Sequence, residues 1–552
     1  MNRDRTLVAV QFALLTVILA GGRRGRGRPR PVQAAGAALT LGGLILAAWS
    51  GRTLGRNLTP LPTPVADGTL VQRGPYRRVR HPIYTALLLL AGGWTVARGG
   101  GSALWAPSCS RVCCGTRLGS RTPRWRSFTP TTPRTGRAPG RSCRACPRAE
   151  RSLKVPPASR RLSSRMHLPP HAIRPDYAGG SILNLAVTLG AHHGVPTPHA
   201  PYRHPLPLDG ARHVVLIVVD ALGAGQLRDA VTRGDAPTLA SLTPAPGAVT
   251  SVFPSTTMAA LTTLHTARAP AEHGYLGLTV CLDEAQAVVN LIRLYDVYTH
   301  TPLEDAGFLA AVPSLYRQLR DRGVAAHVVM PAAYQNSFLT RWACDGAEYH
   351  PYAQAEETPA LTAATLQPGQ PSYTLVYFPE YDLICHGSGP DSPEAHAELR
   401  RTDRIVADLL AALPRNGDTL VVLTADHGQS PQPPDGYVDV ITKKVMKTAL
   451  RGPVAGEERA AYLRPQPGHH AEIAALLAPH ATLLTADDAW TGGLFGPPAH
   501  ADPRLRPRVG DLIAVPHPGH AIRRPTSPAP MLGLHGGWTA EEMLVPVLSA
   551  RV

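Results

Sequence analysis

At 552 residues the chain holds material for about three or four domains. Its formal net charge of +17 suggests a nucleic-acid partner, but residues 1–100 carry 14 Lys and Arg against 2 acids, residues 101–165 carry 15 against 1, and residues 166–552 carry 27 against 36. The largest part is therefore acidic, which removes the main support for nucleic-acid binding, and none is expected.

Three apolar stretches lie in the first hundred residues, at 6–22, 32–49 and 83–97. Two approach the length that crosses a bilayer and the third is short, so they predict a small helical membrane segment. The first lacks a small-residue cleavage site and is followed by another apolar stretch, which argues against a signal peptide. The basic run RRGRGRPRP and the Arg residues near the other ends give conflicting orientations.

Between the second and third stretches, Gly74, Pro75, Tyr76, Arg77, Arg80, His81, Pro82 and Tyr84 form the pattern GPYRxxRHPxY. Here the sequence resembles the isoprenylcysteine carboxyl methyltransferase and phospholipid methyltransferase family over residues 1–98. The resemblance implies that Arg80 and His81 belong to an S-adenosylmethionine-binding segment. That family continues into another apolar span and an aromatic, charged segment; this chain does not, which marks the N-terminal part as truncated.

Residues 99–168 have no apolar periodicity and abundant Arg, Pro, Ser and Gly. They also hold five of the eight cysteines, Cys109, Cys113, Cys114, Cys143 and Cys146. CRAC at 143–146 has no partner pair at zinc-site spacing, so the segment reads as a disordered basic linker. Its composition is that of GC-rich DNA translated out of frame. The working hypothesis is a frameshift that joins two genes, with Met166 at or near the start of the second; one uninterrupted frame on resequencing would overturn it. A full chain implies a membrane location, a start near Met166 a cytoplasmic one.

From 169 to 552 the texture becomes that of an α/β domain. Apolar runs at 213–220, 325–331, 373–382 and 418–428 alternate with helical patterns around 310–323 and 394–413. Continuous apolar strands separated by helices predict a mostly parallel sheet flanked by helices. The run at 510–519 reads as a further strand.

Asp220, Asp382 and Asp426 follow three of these runs. Ligands of open α/β sheets bind beyond the carboxyl ends of strands, so the three acids should converge. A lone Asp after a strand is usually a cap or turn residue; three at equivalent positions shift the balance. Asp382 and His386, spaced i and i+4, would share a helix face and bind one metal ion. Asp426 and His427 are adjacent on a turn and could serve different or bridged ions. His535, in GLHGGW, is the candidate for one more ligand, whereas His469, His470, His517 and His520 lie in Pro- and Gly-rich loops.

FPSTTMAAL at 253–261 sets three hydroxyls before a helical pattern, where Ser255 or Thr256 would cap the helix. With VVLIVVDALGAG, FPEYDLICHGSGPDS, LTADHGQS and LHGGWTAEEMLVP in order, the chain resembles the type I phosphodiesterase/nucleotide pyrophosphatase family of the alkaline phosphatase superfamily over residues 175–550. The resemblance implies an alkaline-phosphatase-like core, two zinc ions and Thr257 as nucleophile. It implies one ion held by Asp220, Asp426, His427 and Thr257, and another by Asp382, His386 and His535. Oxygen and nitrogen donors suit zinc, with manganese as the alternative.

Two departures bear on specificity. Met258, Ala259, Ala260 and Leu261 follow the nucleophile position, and the Asn that holds a phosphoryl oxygen in that family has no clear equivalent beyond Asn290. The C/S-x-P-x-R segment of sulfatases is missing. The expected activity is hydrolysis of a small phosphodiester or a nucleotide pyrophosphate. A phosphomonoesterase, phosphonate hydrolase or phosphomutase on the same fold is one alternative. A membrane methyltransferase with an accessory domain, or a nonenzymatic basic membrane-associated protein, is another.

Overall fold

The computed structural model describes residues 30–54, 74, 85–86, 89–90 and 168–552, except 284, 304–311, 440–443 and 525–529. The chain divides into two units, Met1–Ser152 and Leu153–Val552.

The first unit contains helix α1 (Arg30–Leu54), which carries the apolar stretch 32–49. That stretch is interrupted by Gln33, Thr40, Gly36, Gly42 and Gly43. Among the described residues no helix is long and apolar enough to cross a membrane, so the membrane expectation gains no support. Stretch 6–22, most of 83–97, Arg80, His81 and residues 99–167 lie outside the described residues.

The second unit is built on a seven-stranded sheet. Its strands are β1 (His213–Val219), β2 (Thr243–Pro244), β3 (Ala325–Pro331), β4 (Glu348–Tyr352), β5 (Ser372–Phe378), β6 (Thr419–Thr424) and β7 (Val547–Arg551). The order is β2-β7-β6-β1-β5-β3-β4. The five strands from β6 to β4 run parallel, while β7 and β2 add antiparallel pairs at one edge. Every residue of β1, β5 and β6 is buried, as continuous apolar strands covered on both faces require.

Four helices of this unit matter for the site: α2 (Ile182–His192), α3 (Thr257–Thr266), α4 (Glu380–Ser388) and α5 (Pro393–Ala412). α5 shows how the sequence encodes them. Ser392 caps its first turn by accepting from the Ala395 amide, Pro393 opens it, and Ala395, Leu399, Ile405, Val406 and Leu409 bury one stripe.

A second sheet of seven short strands is antiparallel throughout, and it takes in Leu512–Pro516 from the run expected as a strand. The first sheet is mostly parallel, as expected; the second, antiparallel sheet is not part of that expectation. Short antiparallel strands of two to five residues leave too little periodicity to be read from sequence. Phe253, Phe495 and Trp538 pack in the core beside this second sheet.

Candidate metal and nucleophile centre

β1 delivers Asp220 and β6 delivers Asp426 and His427 to the same end of the main sheet, because the two strands are parallel neighbours in register. Beyond β1 the chain turns sharply. Ala221 adopts φ +62°, a left-handed conformation for a residue with a side chain, and its amide donates to Asp426 Oδ1 at 3.2 Å. A strained turn at this place holds the two carboxylates together. The glycine after His427 answers another constraint, since a Cβ at Gly428 would sit 2.0 Å from the Glu541 carbonyl oxygen.

Asp382 differs from the expectation that it ends a strand. β5 stops at Phe378, and Asp382 lies in the first turn of α4. The helix confirms the i, i+4 geometry: Asp382 Oδ2 is 3.2 Å from His386 Nε2. His535 arrives from the C-terminal segment, and its Nε2 is 3.7 Å from Asp382 Oδ1.

The hydroxyl cluster behaves unlike a simple cap. Thr256 is the N-cap residue of α3 by backbone conformation, but no side chain caps the helix. Thr256 Oγ1 donates to Glu457 Oε1 at 3.0 Å, and Ser255 Oγ donates to the Gly537 carbonyl at 2.7 Å. Both hydroxyls are drawn away by buried acceptors from distant segments. Thr257 is the first residue of α3, and its Oγ1 is 3.0 Å from His427 Nε2.

His427 Nε2 is the hub. It stands 3.4 Å from Asp220 Oδ1 and 3.4 Å from Asp426 Oδ2. Both of those oxygens are buried without a hydrogen-bond partner. The three histidines are oriented alike: Nδ1 of His427 faces the Gly428 carbonyl at 3.0 Å, that of His386 the Gly533 carbonyl at 2.8 Å, and that of His535 the Ser255 carbonyl at 3.2 Å. A carbonyl can only accept, so each Nδ1 carries the proton in the neutral ring and each Nε2 presents a lone pair to the centre. The rings of His427 and His535 stack at 3.8 Å.

The electrostatics bear on what these residues could hold. Burial, reinforced by the charges of Asp426 and Asp382, pushes the Asp220 carboxyl well above its usual range, and burial lifts Asp426 to about 6. Burial holds His427 down to about 4 and His535 to about 3. At Asp382 and His386 burial is outweighed by their mutual attraction, so the carboxyl falls below its usual range and the imidazole rises to about 9. Burial and mutual repulsion thus drive Asp220 and Asp426 toward their neutral forms, and a divalent cation among them would favour the ionised carboxylates. The orphaned oxygens and aligned Nε2 atoms are the donor set of divalent metal sites. Asp220, Asp426 and His427 form one compact group and Asp382, His427 and His535 another, so His427 faces both. His386 adjoins the second group through Asp382.

Several residues around the centre carry no sequence signal for their role. Gln429 Nε2 donates to Asp382 Oδ1 at 2.5 Å, and the Tyr377 hydroxyl donates to Asp220 Oδ2. Arg459 and Glu542 form a fully buried pair at 2.9 Å, and Glu542 also accepts from the Gly537 and Thr539 amides, which braces the turn after His535. Gln429 lies inside LTADHGQS, Tyr377 inside the run 373–382 and Glu542 inside LHGGWTAEEMLVP, whereas Arg459 falls in no motif or run. Asn290 is not part of this centre: its Oδ1 accepts from the Ile292 and Arg293 amides in a local turn.

The type I phosphodiesterase / nucleotide pyrophosphatase family model matches residues 214–538, and the phospholipid methyltransferase family model matches residues 32–108. A protein of Schizosaccharomyces pombe described as an uncharacterized pyrophosphatase/phosphodiesterase is 35% identical over 65 residues, which is 11% of this chain and 13% of that protein's length. Among solved structures, murine ectonucleotide pyrophosphatase / phosphodiesterase 5 is 19% identical with a TM-score of 0.47, covering 61% of this chain and 87% of that one. Phosphonoacetate hydrolase from Sinorhizobium meliloti, in complex with phosphonoformate, is 20% identical with a TM-score of 0.49, covering 65% of this chain and 93% of that one.

Proposed function

Because the chain belongs to the type I phosphodiesterase/nucleotide pyrophosphatase family and is a hydrolase, we propose that it cleaves phosphodiester or nucleotide pyrophosphate bonds with Thr257 as nucleophile and two divalent metal ions. The observation that carries this reading is the convergence of Thr257 Oγ1, Asp220 Oδ1 and Asp426 Oδ2 on His427 Nε2 at 3.0, 3.4 and 3.4 Å.

Asp220, Asp426, His427 and Thr257 would hold one ion and Asp382, His386 and His535 the other; when bound, the pair supplies the positive charge that favours the ionised hydroxyl and neutralises the leaving oxygen. Zinc suits these donors best, with manganese as the alternative.

The chain's own residues supply orientation. Thr257 opens the ten-residue helix α3, whose free N–H groups and dipole favour negative charge at that end. Its Oγ1 forms the new bond to phosphorus as the ester or anhydride oxygen departs, leaving a threonyl phosphoester that water then hydrolyses. Ser255 and Thr256, committed to Gly537 and Glu457, do not compete for this role. Gln429 and Tyr377 fix the carboxylates of Asp382 and Asp220.

The test is turnover of bis-p-nitrophenyl phosphate by the purified protein with and without added zinc. Zinc-dependent cleavage that Thr257→Ala abolishes supports the reading. Turnover that survives Thr257→Ala defeats it, and turnover confined to p-nitrophenyl phosphate or to phosphonoacetate would move the substrate class to monoesters or phosphonates.

A further inference from the structure

We propose that His327, Glu348 and His350 form a second, peripheral site for a divalent transition-metal ion of the zinc class, separate from the catalytic centre. β3 and the edge strand β4 are parallel neighbours, with His327 opposite Glu348. Glu348 and His350 are two residues apart and so share a face of β4. The register therefore gathers two imidazoles and a carboxylate on one face of the sheet edge.

The donor atoms are close enough for one ion. His327 Nδ1 is 3.0 Å from His350 Nε2, and Glu348 Oε2 is 3.5 Å from the first and 4.0 Å from the second. These separations bracket the edge of a tetrahedron with zinc-type bonds, about 3.4 Å. A proton shared between the two rings would account for the shortest contact only, since Glu348 is too far from either nitrogen for a hydrogen bond. A cation engages all three lone pairs.

The surroundings agree. His327 Nε2 is buried without a partner, so the polar contacts of that ring all lie on its Nδ1 side. The Glu348 side chain is 68% exposed, which leaves a fourth position open to water. His327 is the third residue of β3 and Glu348 the first of β4. The site thus sits toward the amino ends of the strands, while Asp220 and Asp426 follow carboxyl ends. Its effect is to tie the edge strand to its neighbour, and an ion bound only to the folded state stabilises by mass action.

The experiment strips the full chain with a chelator, re-equilibrates it with zinc and counts bound zinc per chain in wild type, His350→Ala and Glu348→Gln. An unchanged circular dichroism spectrum and an unchanged Tm of the zinc-free protein certify the folding of both variants. The expected result is the loss of one zinc equivalent in each variant, with a smaller zinc-induced rise in Tm. Zinc counts equal to wild type in both variants would overturn the site and leave a proton-bridged histidine pair. Because the readout is a difference from wild type, it stands or falls independently of the catalytic proposal.

Discussion

His427 Nε2 stands 3.0 Å from Thr257 Oγ1 although 170 positions separate the two residues in the chain. The contact joins the carboxyl end of β6 to the amino end of α3. It separates Thr257 from Ser255 and Thr256, whose hydroxyls point to other acceptors.

Thr257→Ala should lower kcat by roughly 10⁴-fold or more, in line with removal of a nucleophile elsewhere, while leaving most of the bound zinc in place. Thr257→Ser should retain measurable turnover, and Thr256→Ala and Ser255→Ala should act mainly on stability. Steady-state kinetics with metal analysis on the same samples checks all four.

Metal removal should abolish turnover and lower the Tm together. An ion present at a thousand times its Kd contributes about 4 kcal/mol to folding stability, so chelation should be visible by calorimetry as well as by assay. Stability unchanged by chelation would contradict a resident metal.

Metal affinity should rise with pH, and the sign follows from the ligands. His427 and His535, held to about 4 and about 3, are neutral through the working range. His386, raised to about 9, carries a proton at pH 7 that must leave for its Nε2 to bind, and Asp426 at about 6 begins to compete for protons below neutrality. Zinc binding at pH 7 should release the His386 proton, and the Asp220 carboxyl, pushed well above its usual range, adds to that release. Titration calorimetry in buffers of different ionisation enthalpy measures this, and a buffer-independent heat would refute it.

Gln429→Ala should weaken zinc binding by about 10- to 100-fold without moving a direct ligand, because Gln429 orients Asp382. Competition against a chromophoric chelator gives the number.

Arg459→Ala should cost about 3–5 kcal/mol, since it strands the buried Glu542 carboxylate. In wild type, burial of Glu542 is outweighed by Arg459, and its folded pKa is lowered. Its contribution is therefore present above the unfolded glutamate pKa and lost as pH falls through the folded one. The variant should lose that acid-side decline, which urea titrations between about pH 3 and 7 would reveal.

Much of the parallel core was legible because its strands are buried on both faces and so read as continuous apolar runs; β1, β3, β5 and β6 match the runs at 213–220, 325–331, 373–382 and 418–428. The antiparallel second sheet was not, apart from Leu512–Pro516, because its strands are two to five residues long. The edge strand β4 was missed because Glu348, Tyr349, His350 and Pro351 break any apolar pattern. The helical pattern at 310–323 overreached, since only Leu315–Arg320 is helical among the described residues there.

The sequence by itself determined which residue types and spacings are available for chemistry: acids after strands, Asp382 and His386 one helical turn apart, and Thr257 at the start of a helix. Local geometry decides such features, and local geometry follows from neighbours in the chain. Only the tertiary structure decided that His427 faces both candidate metal-holding groups, that Gln429 and Tyr377 hold the carboxylates, and that Ser255 and Thr256 are spent on Gly537 and Glu457. Those pairings join segments tens to hundreds of residues apart. They depend on strand order and register, which no single stretch of sequence contains.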